Sequence, residues 1–245
     1  MNLKEVVVMQ LYAIRYGEQF KYGTKGTVYK NAEQPGEVIS DFPFLYYLAE
    51  LEGKWILIDT GFREEALAIS VGVTLLPIES ELAEVFGGMP IISQIILTHS
   101  HWDHVNNLDL YPGVPVTMSK ATYDLILREG AEHVKESLEG RQLHLMEQEV
   151  VIADKFTLQL MGGHTPDSCV VYFEEAGKKY VITGDECYTC DNVYQNIPIG
   201  ISHDGDKNEA FIADTRERGL IPLPFHDAEI LKKYPRVSEN IVRII

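Results

Sequence analysis

Apolar and polar residues alternate along the chain in short runs that read as strands, separated by longer stretches with helical spacing. A first candidate strand covers residues 6–14. Residues 44–50 and 54–58 flank Leu51, Glu52 and Gly53, the pattern of a hairpin turn, and residues 94–97 form a short apolar strand that ends at Thr98 and leads directly into His99. A second group of runs, at 150–152, 156–161, 169–174 and 179–183, is rich in Val, Ile, Tyr and Phe, with Gly177 separating the last two. Helical spacing appears at 79–86 before Gly87-Gly88, at 120–129 before Gly130 and at 227–234 before Pro235. Strands, helices, strands and a final helix in this order predict an α/β protein, more narrowly an α+β sandwich of two mixed β-sheets packed face to face with helices outside. No linker composition, low-complexity tract or fixed repeat interrupts the pattern, so residues 1–245 read as a single domain.

Composition sharpens this picture. Of 245 residues, 45% are hydrophobic, enough to bury a substantial core and to exclude a disordered chain. Lys and Arg number 21 against 37 Asp and Glu, for a formal charge of −16, which repels phosphate backbones and anionic lipid. The charge argues against nucleic acid and membrane as partners and its sign chooses no substrate; the expected partner is a small-molecule substrate, and the pattern specifies no oligomeric state. At the N-terminus, Lys4 and Glu5 precede only a short apolar run with no small-residue cleavage site after it, and no stretch reaches the roughly 20 apolar residues of a membrane span. Cys169, Cys187 and Cys190 are too few and too clustered for a disulfide framework, which favours a reducing compartment and a cytoplasmic location.

The candidate chemistry is concentrated in Thr98-His99-Ser100-His101-Trp102-Asp103-His104. Imidazole and carboxylate together suit a borderline divalent ion such as zinc. At an extended strand end His99 and His101 point the same way, so one ion can take both. Asp103 and His104 follow a turn at which a helix is expected to start, and so can face a second ion beside the first.

This His-x-His-x-Asp-His run resembles the signature of the metallo-β-lactamase superfamily, and the resemblance extends over nearly the whole chain. Gly163-His164-Thr165-Pro166, Gly184-Asp185 and Phe225-His226-Asp227 match that family's later ligand motifs in order. The resemblance implies an αββα fold, with His99, His101 and His164 on one ion, Asp103, His104 and His226 on the other, and Asp185 bridging. It also matches Asp59-Thr60-Gly61 to a turn whose aspartate orients a ligating imidazole without itself being a ligand. Two positions depart from the common family pattern: Asn106-Asn107 stand where many members have Gly-Gly, and Pro166-Asp167-Ser168 where they have Pro-Gly-His, which bears on the shape of the pocket.

Within the superfamily the chain looks most like the N-acyl-homoserine lactonases, because Tyr188 follows Asp185 by three residues and the last ligand lies in Pro-Phe-His-Asp. The resemblance implies two divalent ions, zinc first with iron or manganese as alternatives, and hydrolysis by an ion-activated water. It assigns Tyr188 as a hydrogen-bond donor to the developing lactone oxyanion and Asp103 as a proton carrier to the leaving alkoxide. A glyoxalase-II-like thioester hydrolase, or another ester hydrolase, would use the same site. An iron-containing redox or sensing protein, with Cys187 and Cys190 in electron transfer, is a third reading, against which the retained His101 and the lack of a flavin-binding segment weigh. Packed thiols are the expectation for the two cysteines, and His133, His144 and His203 are expected in loops or at the surface. Tyr12, Tyr16, Phe20, Tyr22 and Tyr29 form an aromatic-rich early segment expected to pack in the core, with a pocket wall as the alternative.

Overall fold

The computed structural model describes residues 9–19 and 23–245. Residues 6–8 of the first expected strand, and Phe20 and Tyr22 of the aromatic segment, lie outside the described residues.

Strands β1 (Gln10–Gln19), β2 (Pro43–Leu51), β3 (Lys54–Ile58), β4 (Val73–Leu75), β5 (Ile92–Ile96), β6 (Val116–Ser119) and β7 (Leu143–Met146) belong to one mixed sheet. Strands β8 (Glu149–Ile152), β9 (Phe156–Leu160), β10 (Cys169–Glu175), β11 (Lys178–Ile182) and β12 (Ile221–Leu223) form the second, and β13 (Ile241–Arg243) returns to the edge of the first. The first sheet is ordered β13-β1-β2-β3-β5-β6-β7, with β4 also pairing β1. It is antiparallel as far as β3 and parallel from β3 through β7. In the second sheet β8 to β11 are antiparallel and β12 lies parallel to β11.

The two-residue alternation of each strand divides its side chains between two cores. Leu11 and Ala13 of β1, Leu45, Tyr47 and Ala49 of β2, and Ile56 and Ile58 of β3 meet Phe156, Leu158, Val171, Phe173 and Ile182 of the opposite sheet. Their neighbours Tyr12, Ile14, Tyr16, Phe44, Tyr46, Leu48 and Leu57 point outward into a core shared with Leu82, Ile126 and Val134 of the helices. On the far face, Val170 and Val181 pack against Phe211 and Ile212 of the helix Gly205–Glu217. The sandwich of two mixed sheets with helices outside is therefore the observed architecture.

Helices at Glu79–Phe86 and Lys120–Glu129 fall where their amphipathic spacing predicts them. Gly87 closes the first in the left-handed conformation, and Ser119 caps the second by accepting from Thr122 N. The last helix is Ala228–Lys233, one residue shorter at each end than expected, because Asp227 is its cap and accepts from Glu229 N. Strand β1 continues past Ile14 to Gln19 because β2 and then β4 pair with it. The expected strand at 94–97 ends at Ile96, where its register with β3 and β6 ends.

Candidate metal centre

Strand ends from both sheets converge on one place. Parallel neighbours β3 and β5 lead into Asp59 and into Thr98-His99, and the parallel pair β11 and β12 leads into Asp185 and His226. His164 lies in the connection between β9 and β10, and Cys169 N at the start of β10 donates to Thr98 O at 2.9 Å, linking the two sheets there. Asp103 and His104 sit on the short helix Trp102–Val105, as the expected turn implies.

All seven candidate side chains are brought together, in two groups. His99, His101, His164 and Asp185 form one, and Asp103, His104, His226 and Asp185 the other, with the potential ligand atoms of each group all within 4.8 Å of one another. Asp185 divides its carboxylate between them. Its Oδ2 lies 3.8 Å from His99 Nε2 and 3.6 Å from His164 Nε2, while its Oδ1 lies 3.3 Å from His104 Nε2 and 3.5 Å from His226 Nε2. Within the groups, His101 Nδ1 is 3.1 Å from His164 Nε2, and Asp103 Oδ2 is 3.7 Å from His104 Nε2 and 3.6 Å from His226 Nε2. Ligand distances of about 2.0–2.1 Å around a tetrahedral ion require ligand atoms about 3.3–3.4 Å apart, close to these separations.

Hydrogen bonding already selects the inward nitrogens. His104 Nδ1 donates to Asp59 Oδ2 at 2.7 Å and His226 Nδ1 donates to the Pro43 carbonyl at 3.0 Å, so in each neutral ring Nε2 carries the lone pair. His99 is held less directly: its Nδ1 meets Thr98 Oγ1 at 3.1 Å, and that hydroxyl donates to Asp59 Oδ2 at 2.6 Å. One buried carboxylate thus orients an imidazole in each group. Asp59 adopts φ 59° to turn its side chain back, and its Oδ1 accepts from Thr98 N at 2.7 Å. Tyr16 OH donates to Asp103 O at 2.7 Å, and Thr60 N and Oγ1 donate to His104 O at 2.7 and 3.1 Å, fixing the helix from behind.

What remains inside the site is a set of unmet donors and acceptors. His99 Nε2, His104 Nε2 and Asp185 Oδ1 are buried without a hydrogen-bond partner, a costly arrangement unless a cation completes it. Burial pushes His99 well below the usual imidazole range, with His104 and His101 adding to the effect. Burial opposes ionisation of Asp185, but His104 and His226 outweigh it and hold the carboxyl well below its ordinary range. For His104, burial is outweighed by Asp185, Asp103 and Asp59, which keep it well above the ordinary value. The donor set, five imidazoles and two carboxylates around shared Asp185, fits two divalent metal ions.

Tyr188 stands beside both groups. Its hydroxyl is 3.5 Å from His164 Nδ1, and its ring lies 5.7 Å from that of His164 and 5.8 Å from that of His226. Phe42 stacks on His226 with ring centres 4.6 Å apart, and half-buried Trp102 meets Phe62 edge-on at 4.6 Å. Tyr12 and Tyr16 of the aromatic segment are core residues, and Tyr29 is half-buried, its hydroxyl 3.1 Å from Thr189 Oγ1.

The departures from the family pattern have structural uses that sequence spacing did not reveal. Asp167 Oδ2 accepts from Ser100 N, between His99 and His101, at 2.8 Å. Ser168 and Glu186 hold the His164 loop from the other side. Asn106 Nδ2 donates to Glu64 at 3.2 Å, and Asn107 Nδ2 to Thr60 O at 3.1 Å. Of the remaining histidines, His144 and His203 are exposed, whereas His133 is half-buried on a helix, with Nε2 2.9 Å from Asn106 O. Cys169, Cys187 and Cys190 are buried and unpaired, as packed thiols should be, and burial raises each thiol above its usual range.

Comparison with known proteins agrees with this geometry. A family model for the metallo-beta-lactamase superfamily matches residues 42–213, well over half of the chain. An N-acyl homoserine lactonase of a Bacillus species is 26% identical over 181 residues, spanning 67% of this chain and 71% of that protein. An N-acyl homoserine lactone hydrolase, solved with N-hexanoyl-L-homoserine at its catalytic metal center, superposes with a TM-score of 0.76 at 22% identity, covering 93% of this chain and 97% of the other. The dizinc quorum-quenching lactonase AidC superposes with a TM-score of 0.65 at 15% identity, over 100% of this chain and 95% of its own. With strand ends of two mixed sheets carrying the two-group site and the family model spanning most of it, the chain belongs to the metallo-beta-lactamase superfamily and is a metal-dependent hydrolase.

Proposed function

We propose that residues 1–245 form a single domain that opens the ring of a lactone of the N-acyl-homoserine-lactone class. In this reading His99, His101 and His164 hold one ion, Asp103, His104 and His226 the other, and Asp185 joins them, with zinc as the expected metal. Bound together, such ions supply Lewis acidity and make hydroxide available near neutral pH by lowering the pKa of water from 15.7 towards roughly 7. In this reading Asp103, whose Oδ2 lies 3.7 Å from His104 Nε2 and 3.6 Å from His226 Nε2, carries a proton to the leaving alkoxide. Buried, unpaired thiols fit a reducing, cytoplasmic setting.

The observation that carries the choice of a lactone is Tyr188, whose hydroxyl stands 3.5 Å from His164 Nδ1 and whose ring lies 5.8 Å from that of His226. A phenol there donates to a carbonyl oxygen as charge develops on it, so its contribution grows from ground state to transition state. The lactonase names of the similar proteins support the same reading. The test is turnover of an acyl-homoserine lactone, an acyl thioester and a phosphodiester by the metal-loaded protein, alongside Tyr188→Phe. A lone oxyanion donor is worth on the order of 2.7–4 kcal/mol, and a bound metal would share the oxygen, so the expected loss is roughly 1–3 kcal/mol, or about 5- to 150-fold in kcat for the lactone. Faster thioester than lactone turnover, or a silent Tyr188→Phe, contradicts the assignment.

A further inference from the structure

Glu186 is a fully buried carboxylate next in the chain to Asp185, and the chemistry described so far does not use it. Buried acidic side chains are rare unless they are bonded, and this one is satisfied by neutral donors. Its Oε1 accepts from Gly163 N at 2.8 Å and from His164 N at 3.0 Å, and from the Ser168 hydroxyl. Its Oε2 accepts from Asn208 Nδ2 at 2.9 Å, and the same amide donates to the Glu186 carbonyl at 2.9 Å. Gly163 permits this approach: a Cβ there would collide with the carboxylate and sit 3.0 Å from Asn208 Cα. Asn208 is anchored in turn, since its Oδ1 accepts from Ile199 N at 3.1 Å.

We propose that Glu186 is a positioning residue that locks the His164 loop to the Asp185 turn and so sets the metal affinity of the His99–His101–His164 group in preference to the other. The carboxylate grips the backbone of one ligand while the next residue back in the chain is the bridging ligand, so it governs the separation of His164 Nε2 from Asp185 Oδ2, 3.6 Å here. The three ligands that belong only to the other group are held by different contacts: His104 by Asp59 and Thr60, Asp103 by Tyr16, and His226 by Pro43. None of these touches Glu186. The inference rests on the two-metal part of the proposed function and not on the identity of the substrate.

The test is equilibrium zinc binding, read by competition with a chromophoric chelator on the full-length chain, with thermal stability measured in parallel. Glu186→Ala should weaken one ion about 10- to 100-fold, the range for losing a group that orients a ligand, and leave the other within a few-fold. The weakened ion should be the one that His101→Ala removes. Glu186→Gln retains a carbonyl oxygen for Gly163 N and His164 N but turns a donor towards Asn208 Nδ2, so it should recover most, not all, of the affinity that Glu186→Ala loses. Ser168→Ala removes one of the contacts of Glu186, together with the hydroxyl's bonds to Thr165 in the same loop, and should weaken the same ion a few-fold even where Glu186→Ala folds poorly. Unchanged zinc affinities in Glu186→Ala and Ser168→Ala, or equal losses at both ions that follow thermal stability, overturn the proposal while a wild type with two ions leaves the two-metal reading intact. A wild-type chain that binds only one ion overturns both.

Discussion

Asp59 does the most with the fewest atoms. Its carboxylate accepts from His104 Nδ1, Thr98 N and the Thr98 hydroxyl, which meets His99 Nδ1, so it orients an imidazole of each group. Asp59→Asn replaces one acceptor oxygen with a donor and leaves at least one of these three hydrogens unmatched, which should lower metal affinity or turnover about 10- to 100-fold. Asp185→Asn removes the charge that faces four imidazoles at 3.3–3.8 Å and should cost more, with loss of bound metal. Elemental analysis and turnover of both variants check the order, and equal effects would contradict the division of roles between the two carboxylates. The seven gathered residues were legible because the motif spacing is compact and the later histidines and aspartate follow in family order. Glu186, Asp167 and Asn208 were not. Their partners lie 22, 67 and 22 residues away in sequence, and only the folded loops bring them together.

The site is a property of strand ends, and the turn after β11 shows what that demands. Gly184 has φ 50°, and a Cβ on it would lie 2.9 Å from Cys169 O and 3.3 Å from Thr98, where β10 and the His99 strand meet. Gly184→Ala therefore combines left-handed strain with a clash between the two sheets, and strain of that kind costs on the order of 1–3 kcal/mol. Denaturant unfolding should show at least that loss, and a wild-type midpoint would indicate that the turn relaxes freely. Helices Glu79–Phe86 and Lys120–Glu129 were readable because each has an apolar stripe and a glycine stop. Gly205–Glu217 was not anticipated: the residues it buries are Asn208, Phe211, Ile212 and Thr215, two of them polar, so its stripe barely registers as apolar. Strands β4, β12 and β13 are three residues each and owe their existence to β1 and β11 alongside them, a tertiary cause that no local pattern carries.

Across the whole molecule, two sheets with opposite buried faces bring their strand ends to one site, and an acidic chain of net charge −16 surrounds it. No helix among the described residues is long and apolar enough to cross a membrane. The sandwich could be read from the order of the elements, whereas the convergence of β3, β5, β11 and β12 on a single edge could not, since it follows from parallel pairings between strands distant in sequence. In the proposed function this edge holds two ions that the hydrolysis requires. Elemental analysis of protein purified without chelator, paired with lactone turnover on the same sample, tests it most directly. Close to two ions per chain are expected, with activity that falls as they are stripped by chelator and returns when they are restored. Full activity with one ion per chain, or activity unaffected by complete removal of metal, would contradict it.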